Sequence, residues 1–400
     1  MGGGEISLKQ FVDGMIKKGH EIYVLSPNCG KFKNTIIKRG NLTIHRYKSI
    51  KYKTYKPRNK EVSADVYNKN KAIFYLILNQ VGKIFTWEMV RNAGKIIKNN
   101  KFDIVHSNNI ESMMALSKLK VDIPKIAHVR DLATVSLNYR MYKNEYNNLT
   151  SAKILADYFN TNILLSKMIV HDIVKRRINA LNKATNIIAI NEYVKSEIQH
   201  DTDINIDVLY NPMENKISTL TKKEAKIILK LKGINVLFVG SLTEIKGAQF
   251  IIDTARLTPN INFIVLGDGP YKKQLEKCKL DNLYYKGTVD NVSEYYKACD
   301  VLFSPQVHNA INRVQIESLM NGLPIMSTNI KGIENFIINN KTGKVVQNWE
   351  PKTFSKVLQE MTYDIYKLED MSMQAEKIVI SKFNSKDIID KLEQIYRSVI

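Results

Sequence analysis

The sequence predicts an α/β protein of two doubly wound domains, each a parallel sheet with helices on both faces, opposed across a cleft. Three observations carry this. Apolar strand-like runs alternate with helical-period segments along nearly the whole chain, the pattern of parallel sheets with crossover helices. A polar, lysine-rich stretch from Lys216 to Lys232 interrupts the alternation and reads as a junction. The length of 400 residues exceeds what one core ordinarily supports and suits two. The division that follows is an N-terminal domain over 1–214 and a C-terminal domain over 215–400, whose terminal helix can pack back on the N-terminal domain.

In chain order, Gly2-Gly3-Gly4-Glu5 reads as an opening loop. Ile6 to Lys18 is helical, with Phe11, Val12, Met15 and Ile16 at helical spacing and Gly19 as its stop. Glu21 to Ser26 and Asn41 to Arg46 are strands. Trp87 to Asn99 is a helix, and Phe102-Asp-Ile-Val-His106 a buried strand. Ile126 to Arg130 and Asn186 to Ile190 are strands, and Val208-Leu-Tyr-Asn211-Pro212 closes this half. Val236 begins the second run. Val236-Leu-Phe-Val-Gly240-Ser241 and Ile264-Val-Leu-Gly267-Asp268-Gly269-Pro270 are buried-type strands leading into glycine loops that open helices. Asn309 to Pro324 reads as a loop and a helix from Ile311 to Met320. A doubly wound domain has its first strand at the middle of the sheet. This chain opens on a loop instead, so the N-terminal domain is expected to lack that strand, with a short apolar strand encoded upstream of Met1.

Composition narrows the class. The hydrophobic fraction of 44% is ordinary for a globular chain. The three cysteines, Cys29, Cys278 and Cys299, stand far apart, which argues against a disulfide framework and suits a reducing cytoplasm. No signal peptide is visible, and the longest apolar run, Ala72 to Leu78, is far shorter than a membrane span. The net charge of +21 has two readings. One is attraction to an anionic surface; the other is a lysine-, isoleucine- and asparagine-rich composition. Two clusters suit the first. Lys48, Lys51, Lys53, Lys56, Arg58 and Lys60 alternate with Tyr47, Tyr52 and Tyr55. Lys167 to Ile178 is a basic helix with Ile169, Ile173 and Val174 on one side. No nucleic-acid-binding motif accompanies the charge, so nucleic acid is not an expected partner.

The second half carries the chemistry. Glycine loops followed by helices put free backbone N–H groups and positive dipole ends at the strand termini, where anions bind. Lys246 and Arg313 add two full charges, so the arrangement suits a diphosphate. Glu317 sits among apolar residues of its helix, and a carboxylate there needs a partner. Asn309 suits either a ligand contact or a helix N-cap. Asp201-Thr-Asp203 has the form of a short metal-binding pattern, but so short a pattern is common by chance. No metal and no separate cofactor are expected.

The order and spacing of these pieces resemble the family 4 (group 1) glycosyltransferases, nucleotide-sugar enzymes of the GT-B fold, in which two Rossmann-like domains face each other. The resemblance rests on Gly240-Ser241-Leu…Lys246-Gly247, on Gly267-Asp268-Gly269-Pro270, and on the helix motif in which Glu317 matches the second of two family glutamates. Gly2-Gly3-Gly4-Glu5, Phe102 to His106 and Val208 to Pro212 extend it over nearly the whole chain. It implies a retaining, metal-independent transferase moving a sugar from a UDP- or GDP-sugar to a glycan or lipid-linked acceptor, working in the cytoplasm at the inner face of the membrane. It implies donor contacts at Gly3, Gly240, Ser241, Lys246, Gly267, Gly287, Arg313, Glu317 and Glu334. It implies a reaction centre drawing on Arg130, Asp131, Asn309 and Glu317, with His106 near the cleft. Two departures stand out: Asn309 replaces the family's first glutamate, and Ser241 stands where many relatives have arginine. They leave open a catalytically impaired nucleotide-sugar-binding protein; a GT-B epimerase is a further alternative.

Overall fold

The computed structural model describes residues 3–28, 36–49, 86–135, 148–213, 217–307, 312–334 and 336–400. Asn309, Cys29, the Ala72–Leu78 run and the basic cluster beyond Lys48 lie outside them. The chain is α/β in two halves. The second half holds one six-stranded sheet, ordered β10-β9-β8-β11-β12-β13: β8 Asn235–Val239, β9 Asn262–Leu266, β10 Leu283–Gly287, β11 Val301–Ser304, β12 Ile325–Thr328 and β13 Gly343–Val346. All its pairings are parallel. Successive side chains of a strand face opposite ways, and here both faces are covered. Val236, Phe238, Phe263, Val265 and Phe303 pack on one side with Phe354. Leu237, Ile264, Leu302 and Ile325 pack on the other with Leu319, Val379 and Phe383.

The lysine-rich stretch before β8 is not only a junction. It contains the helix Lys222–Ile228, started by a capping box between Thr221 and Glu224. Two of its lysines serve a buried charge. Lys222 Nζ lies 2.8 Å from Asp300 Oδ1 and Lys226 Nζ 3.1 Å from Asp300 Oδ2. The Asn235 N–H donates to the same carboxylate at 2.8 Å. Asp300 is fully buried, and a buried carboxylate is tolerated because it is paired and hydrogen-bonded.

Among the described residues the first half holds two sheets instead of one. β1 Ile22–Asn28, β3 Leu42–Lys48 and β2 Ile36–Arg39 form a three-stranded sheet in that order, with β2 antiparallel to β3. β4 Val105–Ser107, β5 Lys125–Val129, β6 Asn186–Ala189 and β7 Ile206–Val208 form a parallel four-stranded sheet. No described strand joins β1 to β4. A cavity of about 170 Å³ lies between them, lined by Tyr23, Val24 and Leu25 on one side and Val105, His106 and Ser107 on the other. Ala93, Ile96 and Ile97, from the helix over 86–99, close it. Among the described residues the sheet is thus divided at this point.

Several sequence readings are corrected. The opening loop is helical from Gly3 onward, in the helix Gly3–Lys17. Glu5 stands in its first turn, where a negative charge suits the helix dipole. Tyr47 is a core residue, 5% exposed, and so not part of a basic surface. In the helix Ile163–Leu181, Ile173 and Val174 are buried, whereas Ile163, Leu164, Leu165 and Met168 face outward. No described helix is long and apolar enough to cross a membrane.

After the helix Ile365–Phe383 the chain returns to the first half. Asn384 makes an isolated parallel bridge with Met213, and Ser385 Oγ donates to the Met213 carbonyl. The helix Ser385–Arg397 then buries Ile388, Ile389, Leu392 and Ile395 against Phe11, Met15, Ile126, Ile188 and Leu209. Gly14 permits this approach: a Cβ there would lie 2.6 Å from the Ile389 side chain. Lys18 lies 2.6 Å from Asp390 and 2.5 Å from Glu393. Leu392, 1% exposed, is the centre of the contact. Leu392→Ala should lower unfolding free energy by about 2–5 kcal/mol, the usual cost of a buried leucine truncation. Exposed Lys391→Ala should change it by less than about 0.5 kcal/mol. Urea melts of the two variants decide, and equal midpoints would show that the terminal helix contributes little.

Candidate active site

Between the two halves lies a cleft of about 770 Å³. Its first wall is built from loops at the carboxyl ends of β4 to β7, the usual ligand edge of such sheets. They contribute Asn108 and Asn109, His128 to Asp131, Asn191, and Tyr210 with Asn211. Gly4 and Glu5 of the first helix join them. The opposite wall supplies Asn312, Arg313 and Ile316.

A second group gathers at the carboxyl ends of β8, β9 and β10. The Gly240 N–H donates to Leu266 O at 3.1 Å, and the Gly267 N–H to Gly287 O at 2.7 Å. Gly267 has φ +136°, and a Cβ there would sit 1.8 Å from the Gly240 carbonyl oxygen. Only glycine permits this backbone-on-backbone contact. Tyr285 Oη donates to Gly267 O at 3.0 Å. Ser241 is exposed, its hydroxyl 3.4 Å from that of Thr243. Lys246 ends the 3₁₀ turn Glu244–Lys246. Its stem passes Gly240, whose Cβ position is 4.0 Å from Lys246 Cγ. The helix that follows this glycine loop begins only at Ile251, after a second 3₁₀ turn.

Arg313 opens the helix Arg313–Met320, whose N-cap is Asn312, in a capping box with Gln315. The capping role open to Asn309 therefore belongs to Asn312. Arg313 Nε donates to Glu317 Oε1 at 2.7 Å, and one terminal nitrogen donates to Gln10 Oε1 at 3.2 Å, across the cleft. The Tyr296 hydroxyl donates to Glu317 Oε2 at 3.1 Å. Burial, reinforced by the Glu317 charge, pushes this hydroxyl well above its ordinary pKa, so it stays a donor. Tyr296 was not legible as a site residue, because it reads as one aromatic of a core helix. Glu334 stands apart. It is exposed in the turn after Gly332, which packs on Tyr193, and it does not line the cleft.

On the first wall, Arg130 directs one terminal nitrogen to Asn108 Oδ1 at 3.0 Å and the other to Asn211 Oδ1 at 2.6 Å. Burial lowers its pKa to about 10, opposed by Asp131, so it stays charged. His128 is 2% exposed, with its ring 5.4 Å from that of His106. His106 shares a hydrogen bond with the Tyr396 hydroxyl of the terminal helix. Burial, then the Arg130 charge, brings His106 down to about 4 and His128 well below its ordinary value. Asp201 lies in the 3₁₀ turn Gln199–Asp201 after the helix Glu192–Ile198, and neither it nor Asp203 lines the cleft. Among the described residues no three His, Cys, Asp or Glu side chains gather as a metal site would require.

Comparison with known proteins follows this geometry. Residues 1–215 match the family described as Glycosyltransferase Family 4, and residues 221–378 match Glycosyl transferases group 1. An uncharacterized 41.2 kDa protein in cps region of Klebsiella pneumoniae is 24% identical, over 84% of this chain and 89% of that relative. Among solved structures, the sucrose-phosphate synthase of Thermosynechococcus elongatus superposes with a TM-score of 0.76 at 15% identity, covering 100% of this chain and 94% of its own. Anabaena HepE, solved in complex with UDP and glucose, superposes with a TM-score of 0.66 at 14% identity, covering 99% and 96%. The fold is the two-domain GT-B arrangement.

The buried histidines set a pH dependence. Both are held neutral in the folded protein, whereas in the unfolded chain they take up a proton near the ordinary value of 6.5. Their contribution is complete above that value. It declines as pH falls from about 6.5 toward about 4, by up to about 1.4 kcal/mol per pH unit for each group. Urea unfolding at pH 7.5 and pH 5 should show the loss, and His128→Gln should flatten it. A parent protein equally stable at both values would contradict the burial.

Proposed function

The chain belongs to glycosyltransferase family 4, and we propose that it transfers a sugar from a UDP- or GDP-sugar to a hydroxyl of a cell-envelope glycan, glycolipid or glycoprotein precursor, with retention of anomeric configuration. The observation that carries the donor half is the meeting of the Gly240 and Gly267 backbones beneath the Lys246 stem. Such a floor lets a diphosphate approach the main chain closely, with a cation beside it. The UDP and glucose held by HepE support a donor of this class.

In this reading the bond between the sugar's anomeric carbon and the diphosphate oxygen breaks, and its electron pair leaves with the diphosphate. Lys246 and Arg313 offset the growing negative charge, as preorganised cations and dipoles do without a metal. The acceptor hydroxyl attacks from the face the diphosphate leaves and passes its proton to the departing diphosphate oxygen, and Arg130 and Asp131 orient the acceptor. Glu317 holds the ribose. Asn309 keeps the hydrogen-bonding capacity of the glutamate it replaces without its charge. Gly3 and Glu334 carry no distinct role.

A peripheral membrane contact suits the same reading. Leu164 and Met168 are 64% and 63% exposed on one side of the helix Ile163–Leu181, beside the exposed Lys167 and Lys175. An apolar strip bordered by lysines is fit to lie in the interface of an anionic bilayer.

Lys246→Ala should weaken UDP-sugar binding by about 1–3 kcal/mol, the range for a charge-assisted hydrogen bond. Turnover should persist in excess EDTA. Calorimetry and a UDP-release assay read the two; unchanged affinity would move the donor site elsewhere, and activity lost to EDTA and restored by manganese would require a metal. Sedimentation with vesicles should show binding that rises with anionic lipid and falls with salt. Leu164→Ser with Met168→Ser should reduce it, whereas equal binding to neutral vesicles would remove the electrostatic part.

A further inference from the structure

The first wall of the cleft holds a cation that no ion pair among the described residues compensates. Arg130 is gripped by Asn108 and Asn211, both neutral amides. Amides fix the guanidinium plane but do not offset its charge. Asp131 acts on it through space, yet among the described residues no carboxylate stands within ion-pair distance of Arg130. The contrast with Arg313 is direct. That arginine lines the same cleft and is paired with Glu317 at 2.7 Å. A half-buried guanidinium whose hydrogen-bond partners are neutral amides is costly unless an anion completes it.

A second observation stands two residues earlier. His128 lines the same cleft, is 2% exposed, and neither of its ring nitrogens has a hydrogen-bond partner among the described residues. Residues two apart along an extended segment share a face, so His128 and Arg130 present their side chains together. The imidazole is neutral and so offers one donor and one acceptor. A forked cation beside such a ring matches a planar or tetrahedral oxyanion with a neighbouring hydroxyl.

We propose that Arg130, with His128 and Asn211, is the receptor for an anionic group on the saccharide being glycosylated: a carboxylate, as in a uronic acid, or a phosphate monoester. The inference rests on the transferase reading and narrows its acceptor to an acidic one. The same chemistry could come from the donor, as its diphosphate or as a carboxylate on its sugar. The position favours the acceptor, because Arg130 follows β5 of the first half, whereas the glycine floor follows β8 and β9 of the second.

The experiment uses the full chain and calorimetric titration with D-glucuronate, inorganic phosphate and D-glucose, each with and without saturating UDP. Glucuronate or phosphate should bind in the presence of UDP, and glucose about tenfold or more weakly. Arg130→Gln should reduce anion affinity about tenfold or more while UDP affinity is retained, and Arg130→Lys should keep part of it. Circular dichroism checks that both variants are folded; if the glutamine variant is not, the lysine variant decides. The proposal is overturned if the variants bind the anions as the parent does, if glucose binds equally well, or if UDP and the anion exclude each other. Failure to bind UDP at all would count against the transferase reading, and the anion titrations without UDP would still decide the role of Arg130.

Discussion

The cleft depends on the chain crossing between its halves twice, at Met213 and at Asn384, and on the second crossing being fastened. The bridge between these residues and the Ser385 hydroxyl bond hold the two crossings side by side. Phe383 just before the crossing packs with Tyr210 and Phe336, their ring centroids 5.1 and 5.4 Å from its own. After it, the terminal helix lays four buried aliphatic side chains on the first half. One connection would leave the halves free to turn about a single strand of chain. Two adjacent ones restrict motion to opening and closing about that line, which keeps the Arg130 wall facing the Arg313 wall.

The same helix reaches into the chemistry. Tyr396 hydrogen-bonds His106, and His106 stacks near His128. Both rings are kept neutral by burial, and part of that burial is supplied by a helix from the end of the chain. Across the cleft, Gln10 of the first helix accepts from Arg313. The Gln10–Arg313 bond therefore ties the two walls by a polar contact, on top of the apolar packing at the crossing.

What could be read from the sequence was what repeats locally. Alternating apolar runs located the strands from β4 to β9 within a few residues, and the glycine loops pointed to the strand ends where Gly240 and Gly267 meet, whereas β10, β11 and β12 went unread. Contacts made by distant residues were not legible. Tyr296 serves Glu317 from another helix, Asp300 gathers two lysines that looked like linker composition, and Gln10 reaches Arg313 from the other half. The antiparallel strand β2 went unread because Ile36–Arg39 has only two apolar residues. The N-cap is a similar case. Several asparagines precede the helix, and only the fold determines that Asn312 makes the capping bonds.

The tie between Arg313, Glu317 and Tyr296 raises the question of whether a ribose would have to break it. Counting acceptor sites indicates that it would not. An ionised carboxylate has about four lone-pair directions. Glu317 uses one on Oε1 for Arg313 and one on Oε2 for Tyr296, so about two remain for the hydroxyls of a ribose. Breaking the ion pair would leave a half-buried charge on each partner and cost more than one added hydrogen bond returns. In the proposed reading the pair is a frame that fixes both side chains before a nucleotide arrives. In the same reading Arg313 keeps the terminal nitrogen that Gln10 does not take for a phosphate, and its charge is tempered by Glu317. Arg130, which has no such partner among the described residues, is left as the cation with the stronger pull on an incoming anion.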